Sequence, residues 1–204
     1  MEKSMIKPFI AKRVAQEFTD GMVVNLGIGL PVLCTNYLPE GIHVTVHSEL
    51  GIVGQGPAPD AEHADPMHVV DAGGSPSSVV LGGAFTDSSD SFALIRGGHV
   101  DACFLGALEV DAEGNLANWI IPGKKMPGMG GAMDLCVGAK HCIVCMEHTA
   151  KGNPKIFEKC RLPLTASHCV NKIITEMCVF EVTDKGLLMT EINPEFTVDQ
   201  IKET

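Results

Sequence analysis

The chain has 204 residues, 45% of them hydrophobic and 20% charged, and its formal net charge is −10 at pH 7. This length and composition predict a soluble globular protein with a single domain spanning residues 1–204. The acidic balance argues against a nucleic-acid-binding surface, and the sequence has neither a secretory leader pattern nor an apolar run that would span a bilayer. We therefore expect a cytoplasmic protein with no nucleic-acid and no membrane partner.

The first quarter of the chain alternates helices, strands and glycine turns. Residues 8–19 carry apolar side chains at helical spacing, and residues 22–26 form an apolar strand pattern. A turn at Gly27-Ile28-Gly29 leads to Pro31, which suits the first turn of a helix ending near residue 37. Residues 42–47 then predict a second short strand, so the order indicates a parallel crossover.

The rest of the chain predicts more strands, with hairpins towards the end. Residues 52–68 hold three prolines and no sustained periodicity, so we expect a long loop there, with His63 and His68 exposed to solvent. Helices are expected at residues 88–95 and 165–175, and hairpin turns at residues 113–115 and 184–186. Strands are expected at residues 69–71, 78–81, 100–105, 116–121, 141–146, 177–183 and 187–192. This arrangement predicts an α/β fold with a mixed sheet.

Eight cysteines are present, most of them within apolar runs. Buried thiols behave as small hydrophobic side chains, and a reducing cytosol keeps them free. Cys142 and Cys145 have the C-x-x-C spacing, but on a strand their side chains point to opposite faces. We therefore expect no metal site and no disulfide framework.

Glu49 is the main candidate for chemistry. It follows the strand at residues 42–47, where apolar residues give way to Gly51, Gly54 and Gly56. Ligands of open α/β sheets bind at the carboxyl ends of strands, and glycines leave room for a substrate beside the carboxylate. A salt bridge or a helix cap is the structural alternative for this side chain, and the residues alone leave both open.

Gly27 and Gly29 raise an alternative function. They follow a strand and open a helix, and Glu49 lies about where a dinucleotide-binding fingerprint has its ribose-binding acid. A dinucleotide-binding oxidoreductase is therefore the rival hypothesis. It is weakened because Val32 occupies the third glycine position, and a plain tight turn explains both glycines as well.

A second glycine-rich segment, residues 121–135, contains four glycines within nine residues and two prolines. Exposed N–H groups at Gly130 and Gly131, just before a predicted helix, would form donors for an oxyanion. An ordinary strand-to-helix connection is the alternative. A desolvated carboxylate attacking an acyl group, with backbone donors for the oxyanion, indicates acyl transfer.

Several segments together closely resemble the B (beta) subunit of family I CoA-transferases of the 3-oxoacid or butyrate–acetoacetate type. The similarity runs along nearly the whole chain and is most specific in residues 24–31 (VNLGIGLP), 47–49 (HSE), 91–99 (SFALIRGGH), 116–123 (LANWIIPG) and 129–135 (MGGAMDL). The resemblance implies an open, mostly parallel mixed sheet with flanking helices, of the CoA-transferase (NagB/RpiA-like) type.

The resemblance also implies an activity. Such enzymes move coenzyme A between an acyl-CoA and a short-chain fatty acid or 3-oxoacid, such as acetate, butyrate or acetoacetate, as in ketone-body and short-chain fatty acid metabolism. The chemistry is ping-pong and passes through a glutamyl-CoA thioester. Coenzyme A is a substrate, and no tightly bound cofactor or metal is expected. The implied partner is an A (alpha) subunit, in an α2β2 heterotetramer.

By the same resemblance, Glu49 is the nucleophile and the N–H of Gly131 belongs to the oxyanion hole. Asn25, Gly27, Gly29 and Gly130 are implied to contact the bound substrate or its CoA arm. The chain departs from the family pattern at Leu50, where Asn is usual after the glutamate. This change removes a hydrogen-bonding side chain beside the nucleophile and puts the acyl specificity in doubt.

Overall fold

The computed structural model describes residues 1–124 and 128–204. In this part of the chain it has fourteen strands and five α-helices. In chain order they are α1 (Lys3–Val14), β1 (Val23–Leu26), α2 (Leu30–Leu33), β2 (Thr45–Ser48), β3 (Ile52–Gly56), β4 (Ser78–Phe85), α3 (Ser88–Arg96), β5 (Ala102–Leu105), β6 (Glu109–Asp111), β7 (Leu116–Ala117), α4 (Ala132–Gly138), β8 (His141–Cys145), β9 (Thr149–Ala150), β10 (Asn153–Pro154), β11 (Ile156–Phe157), β12 (Val170–Ile174), β13 (Cys178–Thr183), β14 (Gly186–Ile192) and α5 (Val198–Lys202).

Nine of these strands form one sheet in the order β14-β13-β12-β8-β5-β1-β2-β3-β4. The five central strands, from β12 to β2, are parallel, and an antiparallel pair extends the sheet at each edge. The carboxyl ends of the five parallel strands therefore meet along one edge, where the loops of an α/β fold carry function. The α/β class with a mixed sheet and flanking helices is confirmed.

The central strands are buried on both faces, as parallel strands between helices require. Cys103 and Phe104 are neighbours on β5, and each is fully buried in a different core cluster. One cluster contains Val14 of α1, and the other contains Ile95 of α3 and Leu135 of α4. Helices thus cover the sheet on both sides, which gives three layers around the parallel strands.

Two small sheets lie outside the main one. Strand β6 pairs with β7 and β11, and β9 pairs with β10. The turn predicted at residues 113–115 joins the antiparallel strands β6 and β7, and the one at residues 184–186 joins β13 and β14. Both hairpin predictions are confirmed.

The prediction of a helix at residues 165–175 is wrong. The segment contains β12, which pairs in parallel with β8 and antiparallel with β13. Val170, Ile173 and Ile174 are all buried there. These three positions satisfy helical spacing, but a strand buried on both faces also buries neighbouring residues, so periodicity alone does not separate the two structures.

Other boundaries differ from those predicted. Residues 52–56 were expected in a loop but form strand β3, which pairs with β4 in an antiparallel hairpin at the edge of the sheet. Only β7 forms within residues 116–121, and residues 69–71 contribute a single bridge between Val70 and Pro76. Helix α1 begins at Lys3, so Pro8 lies inside it. The crossover from β1 through α2 to a parallel β2 is confirmed.

A search of the described residues for a helix long and apolar enough to cross a membrane finds none.

Candidate active site

A cavity of about 510 Å³ opens at the carboxyl edge of the sheet, beside the ends of β1 and β5. Its walls come from distant parts of the chain. Predicted site residues that line it are Asn25, Gly27, Glu49, Gly130 and Gly131. Gly29 and Leu50 are not part of its lining. The fold has therefore brought together three segments, of which the first and the last are more than a hundred positions apart in the chain.

Glu49 is half-buried and occupies the tight turn between β2 and β3. The turn depends on Gly51, whose φ of 121° is in the region that favours glycine. A Cβ atom at Gly51 would lie 2.1 Å from the carbonyl oxygen of Thr86, so no other residue fits without moving the backbone. This close approach ends β2 at Ser48 and directs the next side chain, Glu49, into the cavity.

Asn25, on the neighbouring strand β1, donates a hydrogen bond to the carboxylate of Glu49. It is 2% exposed, and its Nδ2 donates to Oε2 of Glu49 at 3.1 Å. The same amide donates to the carbonyl oxygen of His47 at 3.0 Å and lies 3.3 Å from its Nδ1. The parallel register of β1 and β2 pairs Asn25 with His47, which places the carboxylate within reach of the amide.

A second layer of hydrogen bonds fixes the His47 ring. Its Nε2 lies 2.9 Å from Oγ of Ser91, and that hydroxyl donates to the carbonyl oxygen of Ser48 at 3.2 Å. The hydroxyl proton is therefore used, so Nε2–H of His47 donates to Ser91 and Nδ1 is the unprotonated nitrogen, which faces the amide of Asn25. Burial lowers the pKa of His47 and so favours the neutral ring. The negative charge of Glu49 acts in the opposite direction but has a smaller effect.

His47 and Ser91 were not among the predicted site residues. Both lie in the segments that carry the family resemblance, but their side chains are separated by 43 intervening positions in the chain. The fold brings them together, and their hydrogen bonds show that they support the position of Asn25 and Glu49.

Gly131 lies against the other side of the carboxylate, immediately before α4. A Cβ atom at this position would lie 2.9 Å from Cγ and 3.4 Å from Oε1 of Glu49, closer than ordinary packing allows. The N–H of Gly131 donates to no described residue. It is thus a backbone donor close to the carboxylate of Glu49. Residues 125–127, part of the predicted glycine-rich loop, lie outside the described residues.

The surroundings of Gly27 and Gly29 do not favour a dinucleotide site. Gly27 donates its N–H to the carbonyl oxygen of Phe104, which ties β1 to β5, and Gly29 has a φ of 90° before α2. Helix α2 is only four residues long. Glu49, the ribose ligand in that hypothesis, instead accepts a hydrogen bond from Asn25.

The cysteines are mostly buried, as expected. Cys142 and Cys145 belong to the core clusters on opposite faces of the sheet, which confirms that they do not form a pair. Among the described residues, the sulfur atoms of Cys136, Cys142 and Cys169 lie within 4.8 Å of one another. The sequence does not predict this group, because Cys136 lies in α4, Cys142 in β8 and Cys169 immediately before β12.

The loop histidines are exposed, as expected. The Nδ1 atoms of His63 and His68 lie 2.7 Å and 2.9 Å from the carboxylates of Asp60 and Asp65. These are local pairs on the surface, and they belong to no wider cluster of ligands among the described residues.

Comparison with known proteins identifies the family. The model of the coenzyme A transferase family matches residues 8–204. The chain therefore belongs to the coenzyme A transferase family, and the expected enzyme class, a transferase of coenzyme A, is confirmed.

Several similar proteins are named as CoA-transferases or their subunits. The acetate CoA-transferase subunit beta of Escherichia coli K12 is 57% identical over 187 residues, which cover 91% of this chain and 85% of that protein. The corresponding subunit of Haemophilus influenzae is 53% identical over 197 residues, covering 96% of this chain and 87% of that one. The mitochondrial succinyl-CoA:3-ketoacid coenzyme A transferase 2A of Rattus norvegicus is 50% identical over 198 residues, but the match covers only 38% of its length.

Solved structures share the fold. The acyl-CoA transferase YdiF of Escherichia coli O157:H7 superposes with a TM-score of 0.73 at 23% identity, over 96% of this chain and 39% of that one. The decarboxylase AibA/AibB superposes with a TM-score of 0.67 at 21% identity, over 97% of this chain and 81% of that one. Because a transferase and a decarboxylase share this fold, the reaction must be argued from the site.

Proposed function

We propose that this chain is the B subunit of a CoA-transferase and that Glu49 is its nucleophile. The geometry that supports this role is the position of the Glu49 carboxylate between the amide of Asn25 and the backbone of Gly131, at the rim of a cavity. The amide orients one carboxylate oxygen without neutralising it. The second oxygen is free to attack.

The first half-reaction removes coenzyme A from its donor. A carboxylate oxygen of Glu49 bonds to the thioester carbonyl carbon, and the carbonyl electrons move onto its oxygen. The N–H of Gly131 donates to this oxyanion, which lowers the barrier because the donor is fixed in advance. Collapse of the intermediate breaks the carbon–sulfur bond, releases the CoA thiolate and leaves an acyl-glutamyl anhydride.

The CoA thiolate then attacks the glutamyl carbonyl of this anhydride. The carbon–oxygen bond breaks, the donor acid leaves as a carboxylate, and a glutamyl-CoA thioester remains. A second carboxylate reverses the two steps and departs as the new acyl-CoA, which restores the free Glu49. Asn25, Gly27, Gly29 and Gly130 contact the CoA arm in this proposal. Contacts to the parts of CoA that do not react lower the barrier when they are stronger in the transition state than in the bound substrate.

The partner and the acids are inferred from relatives. Two similar proteins are beta subunits of acetate CoA-transferases, and another acts on succinyl-CoA and a 3-ketoacid. We infer that this chain assembles with an A (alpha) subunit as an α2β2 heterotetramer in the cytoplasm. Its exchanged acids are short-chain fatty acids or 3-oxoacids such as acetate, butyrate or acetoacetate.

Trapping the thioester tests this mechanism. The complex with its A subunit is incubated with acyl-CoA and then treated with borohydride, which reduces a glutamyl thioester to an alcohol. Mass spectrometry of peptides is expected to find the modification at Glu49 only. Modification of another carboxylate would contradict the assignment.

Substitution of the nucleophile gives an independent test. Glu49→Gln preserves the shape of the side chain and removes its charge, so CoA transfer is expected to fall by at least about 1,000-fold. Glu40→Gln, a change of an exposed carboxylate, is the matched control and is expected to transfer CoA normally. Full activity in Glu49→Gln would exclude the proposed mechanism.

A further inference from the structure

Three cysteines from different elements meet near the amino end of β8. Cys136 lies in α4, Cys142 is the second residue of β8, and Cys169 immediately precedes β12. Their Sγ atoms lie within 4.8 Å of one another. Glu49, by contrast, follows the carboxyl end of β2, and among the described residues that line its cavity none belongs to this group. We call the group the three-cysteine cluster.

Two of the sulfur atoms are fixed by the packing of α4 and β8. Cys142 is 1% exposed, on a strand that pairs with β5 on one side and β12 on the other. Cys136 is 5% exposed. A Cβ atom at Gly138 would lie 2.5 Å from the carbonyl oxygen of Ile95, so α4 packs closely against α3. Ligands held in place in this way favour binding of an ion, because little order has to be created when it arrives.

The backbone around Cys169 is irregular on both sides. His168 has a φ of 49°, a left-handed conformation that is uncommon for residues other than glycine. The N–H groups of Cys169 and Val170 both donate to the carbonyl oxygen of Gly114 at 3.0 Å, and the register of β12 with β8 shifts just after Val170. Strained residues and bulges re-aim side chains at functional sites, and here the side chain between them belongs to Cys169.

The separation of the sulfur atoms suits a metal ion. Three sulfur atoms that surround one ion in a plane, each at about 2.3 Å from it, are about 4 Å apart. The observed limit of 4.8 Å is close to this value, so small side-chain movements complete the site. A disulfide requires a separation of about 2 Å and would leave the third sulfur atom without a partner.

The number of ligands narrows the choice of metal. Thiolates select Cu(I), zinc and iron–sulfur clusters, but structural zinc sites and iron–sulfur clusters use four protein ligands. A fourth thiol, Cys103, pairs with Cys142 across β5 and β8, but its Sγ donates to the carbonyl oxygen of Leu135 at 3.5 Å and is not part of the cluster. Val110 and Ile173 belong to the same hydrophobic core, which disfavours a water ligand. Three sulfur ligands in apolar surroundings favour Cu(I), whose closed shell accepts three-coordination.

We propose that the three-cysteine cluster binds one Cu(I) ion through the Sγ atoms of Cys136, Cys142 and Cys169. The half-buried Cys169 provides the route from solvent. Each thiol that becomes a thiolate on binding releases one proton to the solvent. The bound ion links α4, β8 and the segment before β12. This site is independent of Glu49 and goes beyond the proposed function, and it replaces the expectation from the sequence alone that the chain has no metal site.

Metal binding to the wild-type complex tests the proposal directly. The reduced enzyme, assembled with its A subunit, is titrated with Cu(I) without oxygen in competition with a chromogenic chelator. We expect one ion per B subunit. X-ray absorption at the copper edge is expected to find three sulfur neighbours at about 2.3 Å. Absence of binding, or an ion held by two sulfur atoms, by four ligands or by nitrogen and oxygen, overturns the proposal.

Substitution of the ligands locates the ion on this chain. Cys136→Ala and Cys169→Ser are each expected to lower the Cu(I) affinity by at least about 100-fold, since even changes behind the ligands of a metal site cost 10- to 100-fold. Cys160→Ser is the matched control. Cys160 is also half-buried, and its Sγ contacts the carbonyl oxygen of Asn115 at 3.6 Å, but it is not part of the cluster. Wild-type affinity in the cluster variants, or an equal loss in the control, overturns the proposal.

Two further measurements separate metal binding from folding and from catalysis. Circular dichroism and CoA transfer without copper show whether each cysteine variant is folded and assembled, and the absorption spectrum of the wild-type complex needs no variant at all. Glu49→Gln is expected to bind Cu(I) as wild type does while it loses CoA transfer. Loss of Cu(I) binding in Glu49→Gln would overturn a site independent of the nucleophile.

Discussion

Asn25 and Gly131 contact the carboxylate of Glu49, the proposed nucleophile, from two sides. Asn25 donates to Oε2 of Glu49 at 3.1 Å, and the Gly131 backbone leaves no space for a Cβ atom beside Cγ. The φ of Gly131 is −82°, a value that any residue adopts. Glycine is therefore required there by contact with Glu49 and not by backbone conformation.

Gly131→Ala tests this contact. The added methyl would lie 2.9 Å from Cγ of Glu49, so it displaces the carboxylate or α4. We expect kcat to fall by about 10- to 100-fold, because displacements near 1 Å are costly for a reacting group. Steady-state CoA transfer measures the effect, and Met133→Ala, on the exposed side of the same helix, is the control. An alanine variant with wild-type kcat would show that the carboxylate moves freely.

At the scale of elements, the site depends on how α3 packs against α4. Gly138 ends α4, and a Cβ atom there would lie 2.5 Å from the carbonyl oxygen of Ile95 in α3. Arg96 and Asp134 join the same two helices through an exposed ion pair at 2.7 Å. Such a pair adds little stability, so the close backbone approach is what sets the position of α4 and hence of Gly131.

Gly138→Ala is expected to lower the free energy of unfolding by about 1–3 kcal/mol, because a methyl group in a closed contact forces the two helices apart. Urea denaturation monitored by circular dichroism measures it. Val137→Ala is the matched control: this side chain is 75% exposed on the same turn, so its truncation is expected to change stability by less than about 0.5 kcal/mol. Equal stability of the two variants would contradict a tight contact.

At the scale of the whole molecule, the buried His148 contributes to the response of stability to acid. His148 is 2% exposed and its Nδ1 lies 3.0 Å from Oγ1 of Thr175. Burial, with a smaller effect from Lys155, lowers the pKa of His148 from 6.5 to about 4. The unfolded chain therefore binds this proton at a higher pH than the folded chain does, so folding is opposed as the pH falls.

The stabilisation linked to His148 is fully present above pH 6.5 and is lost as the pH falls from 6.5 towards 4, the two values of its pKa. Over that interval we expect its contribution to the free energy of unfolding to decrease by on the order of 2 kcal/mol. His148→Gln is expected to flatten this pH dependence, measured by urea denaturation at several pH values. His63→Gln, at an exposed position, serves as the control. An unchanged slope in His148→Gln would argue against a neutral buried ring.

Local patterns in the sequence predicted the parallel crossover, the two hairpins and the position of Glu49 at a strand end. These features depend on neighbouring residues: glycines that permit sharp turns, apolar runs and a proline at a helix start. Helix α3 was placed to within one residue for the same reason. The segment containing β12 was wrongly predicted to be a helix. Val170, Ile173 and Ile174 are compatible with a helix and with a buried strand, and only the pairing with β8 and β13 decides between the two.

Contacts between distant segments needed the tertiary structure. The meeting of Asn25, Glu49 and Gly131 follows from the register of β1 with β2 and from the packing of α4, and no local pattern encodes either. The cavity beside the carboxyl end of β8 likewise combines Lys3 and Lys7 with Lys151 and Lys155, which are far apart in the chain. The amino-acid sequence thus determined which groups are available for chemistry. The fold decided which of them share a site, because distances between strands depend on pairing and not on separation along the chain.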